Sequence, residues 1–187
     1  DRGWREVVVP HDWSIMDKAD DSPPFDPDTP AGQDAGYLPR RIGWHRRHLA
    51  LSPAEAARVV RLNFEAVYMD ADIWLNGEHL TRHRYGYTAF SLDVAGKVRA
   101  GDNVIVERAH HADPSSRWYA GSGLIRPVSV EILDRVHLDP ESIFVTTPVA
   151  TEEHGVVSAQ ATVANRSSTA REIELLARVV SARGETV

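Results

Sequence analysis

Between residues 59 and 94 the chain alternates apolar and polar positions with the period of two that marks a half-buried strand. Val60, Leu62, Phe64 and Ala66 share one parity, while Arg61, Asn63 and Glu65 share the other. A second run places Ala71, Ile73 and Leu75 on one face and Asp72, Trp74 and Asn76 on the opposite face. Asn76-Gly77 follows, a strong signal for a type I′ turn, because both central residues must tolerate positive φ. A third run sets Phe90, Leu92 and Val94 against Ser91 and Asp93. The block predicts a β-meander that serves as neighbour to strands elsewhere in the chain.

Shorter runs flank it. Residues 5–9 form a β-branched stretch stopped by Pro10, and residues 44–51, 104–108 and 128–133 also read as strands. Ser52-Pro53-Ala54-Glu55 predicts a single helical turn. Serine is a good N-cap, proline suits the first helical position, and the glutamate can close a capping box. About seven or eight short strands at turn-punctuated spacing, with one helical turn, predict a β-sandwich over residues 1–134. Residues 134–140 read as a boundary. Beyond it, residues 143–147, 157–163 and 173–179 predict strands, with turns at Asn165-Arg166-Ser167-Ser168 and Ala182-Arg183-Gly184-Glu185. An immunoglobulin-type sandwich takes ~100 residues. Residues 135–187 therefore read as a partial one, in a chain cut from a larger protein.

Loops and charge narrow the chemistry. Residues 17–34 carry Pro23, Pro24, Pro27 and Pro30 with six aspartates, which excludes helix and central strand. A solvated loop is the preferred reading over a site for a hard cation, since EF-hand spacing is absent. The formal net charge of -6 over 187 residues argues against nucleic acid as a partner. No apolar run approaches the ~20 residues of a membrane span. The absence of cysteine excludes disulfides and thiolate-bound zinc. His79 and His83 flank the predicted hairpin within reach of each other. His110 and His111 are adjacent at a strand end and point to opposite faces. None of them has metal-ligand spacing. The polar loop 110–122 holds Arg117, Trp118 and Tyr119. A guanidinium fork beside aromatic faces suits a polyol, the rings packing on C–H faces and the arginine gripping hydroxyls. The alternative is that Trp118 packs the loop onto the sandwich, and residue chemistry does not separate the two.

Several motifs occur in a recognisable order. Pro10-His11-Asp12-Trp13-Ser14-Ile15, Gly36-Tyr37-Leu38-Pro39 with Ile42-Gly43-Trp44, and Phe64-Glu65-Ala66-Val67-Tyr68-Met69 come first. Trp74-Leu75-Asn76-Gly77, Tyr85-Gly86-Tyr87-Thr88, and Ser116-Arg117-Trp118-Tyr119 with Gly121-Ser122-Gly123-Leu124 and Arg126 follow. Together they resemble the N-terminal region of glycoside hydrolase family 2, especially bacterial β-galactosidases. The resemblance implies an all-β chain: a jelly-roll sugar-binding domain, residues 1–134, then a partial immunoglobulin-like β-sandwich, residues 135–187. In the family a (β/α)₈ barrel follows and carries both catalytic glutamates, the acid/base usually after an asparagine.

None of Asn63, Asn76, Asn103 or Asn165 precedes a glutamate, so no catalytic residue is expected here. The implied role is the non-catalytic part of a retaining glycosidase acting on a β-galactoside or related carbohydrate. Its loops reach the sugar pocket, with Arg117, Trp118 and Tyr119 as substrate-binding candidates. The expected partner is the remainder of its own chain, and a homo-oligomer is compatible. No cofactor is expected, although sodium, magnesium or calcium is compatible with the full-length enzyme. Neither nucleic acid nor membrane is expected as a partner. Bacterial cytoplasm, periplasm and secretion all remain open. Two departures stand out: His110-His111 where related sequences often carry Asp-Asn, and Arg117 near the place of a family aspartate. The alternatives are a β-glucuronidase or β-mannosidase of the same family, a stand-alone carbohydrate-binding module, and a purely structural sandwich.

Overall fold

The computed structural model describes residues 3–16, 23–30, 32–112 and 118–186. The chain divides into two units, Asp1–Leu133 and Asp134–Val187. Among its described residues the first holds nine strands: β1 (His11–Asp12), β2 (Ile42–Leu51), β3 (Val59–Phe64), β4 (Ala71–Leu75), β5 (Glu78–His83), β6 (Phe90–Asp93), β7 (Gly101–His110), β8 (Gly123–Leu124) and β9 (Val128–Leu133). They build a four-stranded sheet β2-β7-β4-β5, a three-stranded sheet β6-β3-β9 and a small pair β1-β8. Every pairing is antiparallel. This is an all-β sandwich.

The alternation seen in the sequence becomes the core. Val60, Leu62 and Phe64 from one sheet meet Ile73, Leu75, Ile105 and Ala109 from the other in a single buried cluster. Each fully buried Leu or Ile contributes roughly 1.5–3 kcal/mol. Asn76 and Gly77 have φ of 52° and 87°, so the β4–β5 hairpin closes with both residues left-handed. Asn76 also ties that hairpin to β7. Its amide donates to Asn103 Oδ1 at 3.0 Å, and its Oδ1 accepts from Val104 N at 3.0 Å. The turn at Pro53–Ala56 has the full capping box: Glu55 N donates to Ser52 Oγ at 3.2 Å and Ser52 N to Glu55 Oε2 at 2.8 Å.

On the outer face of the four-stranded sheet, Trp44 and Trp74 stack across β7 with ring centroids 5.6 Å apart. Asp72 beside them accepts from His79 at 2.8 Å and Arg108 at 3.3 Å. The two hairpin histidines do not meet, because His83 binds the Thr88 hydroxyl instead.

Three expectations are corrected. Residues 5–9 form no strand; Val8 is 81% exposed, and no sheet edge accepts the segment. Their β-branched composition is a propensity that neighbours must complete. The single predicted helical turn is joined by others at Trp13–Met16, Gly32–Ala35 and Pro140–Ser142. In the second unit, β10 (Val136–Leu138) pairs with β13 (Val163–Asn165), and β11 (Phe144–Ala150) with β12 (Gly155–Gln160). Residues 173–179 alternate in sequence but join no ladder among the described residues; next to them Val180 bridges to Thr186.

Candidate functional site

The β1-β8 pair brings the segment 10–16 against the segment 118–125 at one end of the first unit. Trp13 anchors it. Its indole is buried and lies against two glycines on different strands: a Cβ at Gly43 would come within 2.3 Å of the ring, and one at Gly123 within 2.5 Å. Gly123 also has φ of 96°, so glycine is required there on both counts. Trp13 N donates to Ser122 O at 3.2 Å, and Gly123 exchanges backbone hydrogen bonds with Tyr68 at 2.6 and 2.9 Å.

Asp12 is thereby presented at the surface with both carboxylate oxygens engaged. Oδ1 accepts from Ser14 N at 3.0 Å, and Oδ2 accepts from the Tyr119 hydroxyl at 2.6 Å. Burial, and then the bond to Asp12, push the Tyr119 phenol well above its usual value, so it stays a donor. Tyr87 donates to the Ala120 carbonyl at 3.1 Å. Asp12, Tyr87 and Tyr119, with Met16, Gly121 and Ile125, bound an open depression of about 380 Å³. Each carboxylate oxygen keeps a second lone pair. A carboxylate that shares the lining of a depression with two phenol rings and apolar side chains can accept from hydroxyls while C–H faces pack on the rings.

Two buried polar chains run beneath. Ser14 Oγ lies 2.6 Å from both the Pro39 carbonyl and Ser122 Oγ, and Ser122 Oγ lies 2.7 Å from His111 Nδ1. The carbonyl can only accept, so Ser14 donates to it. Ser122 then donates to Ser14, and His111 Nδ1 donates to Ser122. Burial lowers the His111 pKa to about 4, with Arg40 and His110 acting in the same direction, so the ring is neutral at neutral pH. The second chain runs from Glu107 Oε2 to His45 Nδ1 at 2.7 Å and from His45 Nε2 to His11 Nδ1 at 3.0 Å. Burial raises the Glu107 carboxyl, and the hydrogen bond from His45 opposes the rise.

Of the three substrate-binding candidates, Tyr119 reaches the depression. Trp118 is 68% exposed and rests its ring edge on Gly36, where a Cβ would lie 3.1 Å from Cε2. Arg40 donates to its carbonyl at 3.4 Å. Arg117 lies outside the described residues, as does much of the acidic loop, residues 17–22. Among the described residues no group of three or more His, Asp or Glu side chains could hold a metal ion. Residue chemistry in the sequence does not distinguish Asp12 and Tyr87 as site residues. Both sit inside motifs of the resemblance, which was the available signal.

Comparison with known proteins gives one consistent picture. No family model matches the chain. The β-galactosidase BoGH2A of Bacteroides ovatus is 31% identical over the whole chain. A Formosa agariphila protein provisionally named a β-glucuronidase is 34% identical over 86% of it. The chain spans 22% and 15% of their respective lengths. A solved structure of a glycosyl hydrolase family 2 member from Bacteroides cellulosilyticus matches all of the chain at 35% identity with a TM-score of 0.87, over 24% of that protein. A family 2 β-glucuronidase structure also covers the whole chain with a TM-score of 0.80, at 20% identity, a likeness of fold.

Proposed function

We propose that this chain, an N-terminal portion of a glycoside hydrolase family 2 protein, serves a retaining glycosidase without supplying its catalytic carboxylates. The first unit is the jelly-roll sugar-binding domain and the second the start of the immunoglobulin-like one. The barrel that performs hydrolysis belongs to the rest of the protein. The observation that carries this reading is similarity over the entire chain, at 31–35% identity, to family 2 proteins of which it spans only a fraction.

In this role the segments 10–16 and 117–125 form part of the rim of the sugar pocket. Asp12 and Tyr119 offer a fixed acceptor and a flanking ring, and Arg117 adds a fork of donors with Trp118 and Tyr119 holding its loop. Asp12 is the one charged side chain among the described residues lining the depression. As a fixed acceptor, Asp12 matches the hydroxyls of a neutral galactoside. The substrate class is therefore a β-galactoside, and β-glucuronides are the alternative that the relatives' names keep in view.

The test uses the full-length protein and paired aryl β-galactoside and β-glucuronide substrates. Hydrolysis of the galactoside with the higher kcat/KM is expected, and preference for the glucuronide overturns the substrate assignment. Arg117→Ala removes one charged hydrogen bond, worth ~1.5–3 kcal/mol. It should lower kcat/KM about tenfold to a hundredfold with little change in melting temperature. Unchanged activity would place Arg117 in solvent, and a joint loss of activity and stability would make it structural.

A further inference from the structure

The strand registers assign the side chains on the outer face of the four-stranded sheet. One row reads Trp44 on β2, Arg108 on β7, Asp72 on β4 and Arg82 on β5. The next reads Arg46, Val106, Trp74 and His79. Trp4, in the segment before β1, lies under the Arg46 guanidinium, 4.4 Å from its ring centroid. Three of the five tryptophans therefore share one surface, where Trp44 is 50% and Trp4 43% exposed. Indoles gain nothing from facing water, and a patch of exposed large apolar side chains marks a binding surface. We propose that this face is a carbohydrate-binding site for a neutral polysaccharide. Trp44 and Trp74 are the rings on which the C–H faces of the sugar pack, and Arg108 and His79 bond its hydroxyls.

The rings and the polar groups hold one another in place. The indoles of Trp44 and Trp74 stack with an interplanar angle of 27°, and the His79 ring meets Trp74 edge-on, with centroids 5.2 Å apart. Asp72 fixes the donors among them, its Oδ1 accepting from His79 Nε2 and its Oδ2 from Arg108. That contact uses one of the five N–H donors of the guanidinium. A planar fork of donors beside aromatic rings suits a polyol, whereas an apolar partner would bury those donors without acceptors. β2 and β4 lie two strand spacings apart, about 10 Å, so the surface meets more than one sugar ring.

Charge selects the neutral class. Asp72 is matched by Arg108 and His79, Asp70 by Arg82 at 2.7 Å, and Asp102 by His48 at 2.8 Å. With these carboxylates and cations already in contact, the face has little to offer the repeating charge of an acidic polymer. None of these residues lines the depression at Asp12, and the inference does not depend on the glycosidase reading, because its readout is binding.

Affinity electrophoresis of the full-length protein tests it, through gels that hold linear β-galactan or hydroxyethylcellulose, both neutral, or polygalacturonate as the acidic counterpart. The expected result is retardation by at least one neutral polymer and none by polygalacturonate. Trp44→Ala combined with Trp74→Ala should weaken that retention about tenfold or more, with Tm nearly kept. Trp44→Ala alone, at a half-exposed ring, gives the same reading if the double variant does not fold. In the unsubstituted protein, oxidation of Trp44 by N-bromosuccinimide, located by peptide mass spectrometry, should slow when the retained polymer is present. Passage unretarded through both neutral polymers, stronger retention by polygalacturonate, or equal retention of a folded variant overturns the site. So does a Trp44 that resists oxidation without polymer, which would show the face covered by another part of the protein. A change from dimer to monomer in the variant, read by sedimentation, would assign the face to a second copy instead. If the full-length protein hydrolyses no glycoside yet is retained through Trp44 and Trp74, the functional reading fails and this site stands.

Discussion

Gly43→Ala isolates the contact on which the candidate site is built. Gly43 lies on β2 with ordinary backbone angles, so alanine meets no backbone objection there. Its Cβ would instead lie 2.3 Å from Trp13 Cε3 and Cζ3, against a normal carbon–carbon separation of ~3.5–4.0 Å. The ring cannot retreat freely, because Gly123 closes the space on another side. Overpacking of this kind costs about 1–3 kcal/mol, and the boxed ring puts Gly43→Ala near the upper end. Alanine regains about 0.5–1 kcal/mol by restricting the unfolded chain. The net loss is about 2 kcal/mol, or a fall in Tm of roughly 4–8 °C for a protein of this size. Thermal unfolding of this chain measures it. The same substitution in a Trp13→Leu background should cost nothing, because the offending ring atoms are gone, and the difference is the coupling energy. An unchanged Tm, or an equal loss in both backgrounds, would refute the packing of Trp13 between the two glycines.

Gly77→Val tests the opposite case: nothing lies within 4 Å of the position, but φ is 87°, so the loss of more than ~1 kcal/mol is backbone strain alone. An unchanged denaturation midpoint would contradict the left-handed turn. His111 binds its proton at an ordinary value near 6.5 when unfolded and at about 4 when folded. Its contribution is therefore complete above pH 6.5 and is lost as pH falls toward 4, up to about 3 kcal/mol; His111→Gln should flatten that part of a stability-against-pH curve. Tyr119→Phe removes the donor to Asp12, and in the full-length protein it should raise KM about tenfold with Tm nearly kept; a galactoside KM within error of the original would separate Asp12–Tyr119 from the pocket. The isolated chain should hydrolyse no glycoside, and turnover of a chromogenic β-galactoside that disappears on mutating one of its own residues would overturn the assignment of catalysis to the barrel.

What the sequence determined by itself is local. The alternation of Val60, Leu62 and Phe64 set which face of β3 is buried, because a strand's side chains change sides at every residue. Asn76-Gly77 closed a hairpin because both residues accept left-handed angles, and Ser52 with Glu55 capped a helical turn because the partners are three residues apart. The tertiary structure decided everything that needed a distant partner. Residues 5–9 and 173–179 have strand composition but no ladder, since a strand requires an edge to pair with and composition does not supply one. Glu107 occupies a buried parity that a carboxyl group argues against, and its hydrogen bond with His45, 62 positions away in the chain, offsets part of that burial. Asp12 meets Tyr119 across 107 positions, and Trp13 meets Gly43 and Gly123 from two other strands. Contacts of that range arise only when the sheets have formed, because they depend on which strands lie side by side rather than on the residues between them.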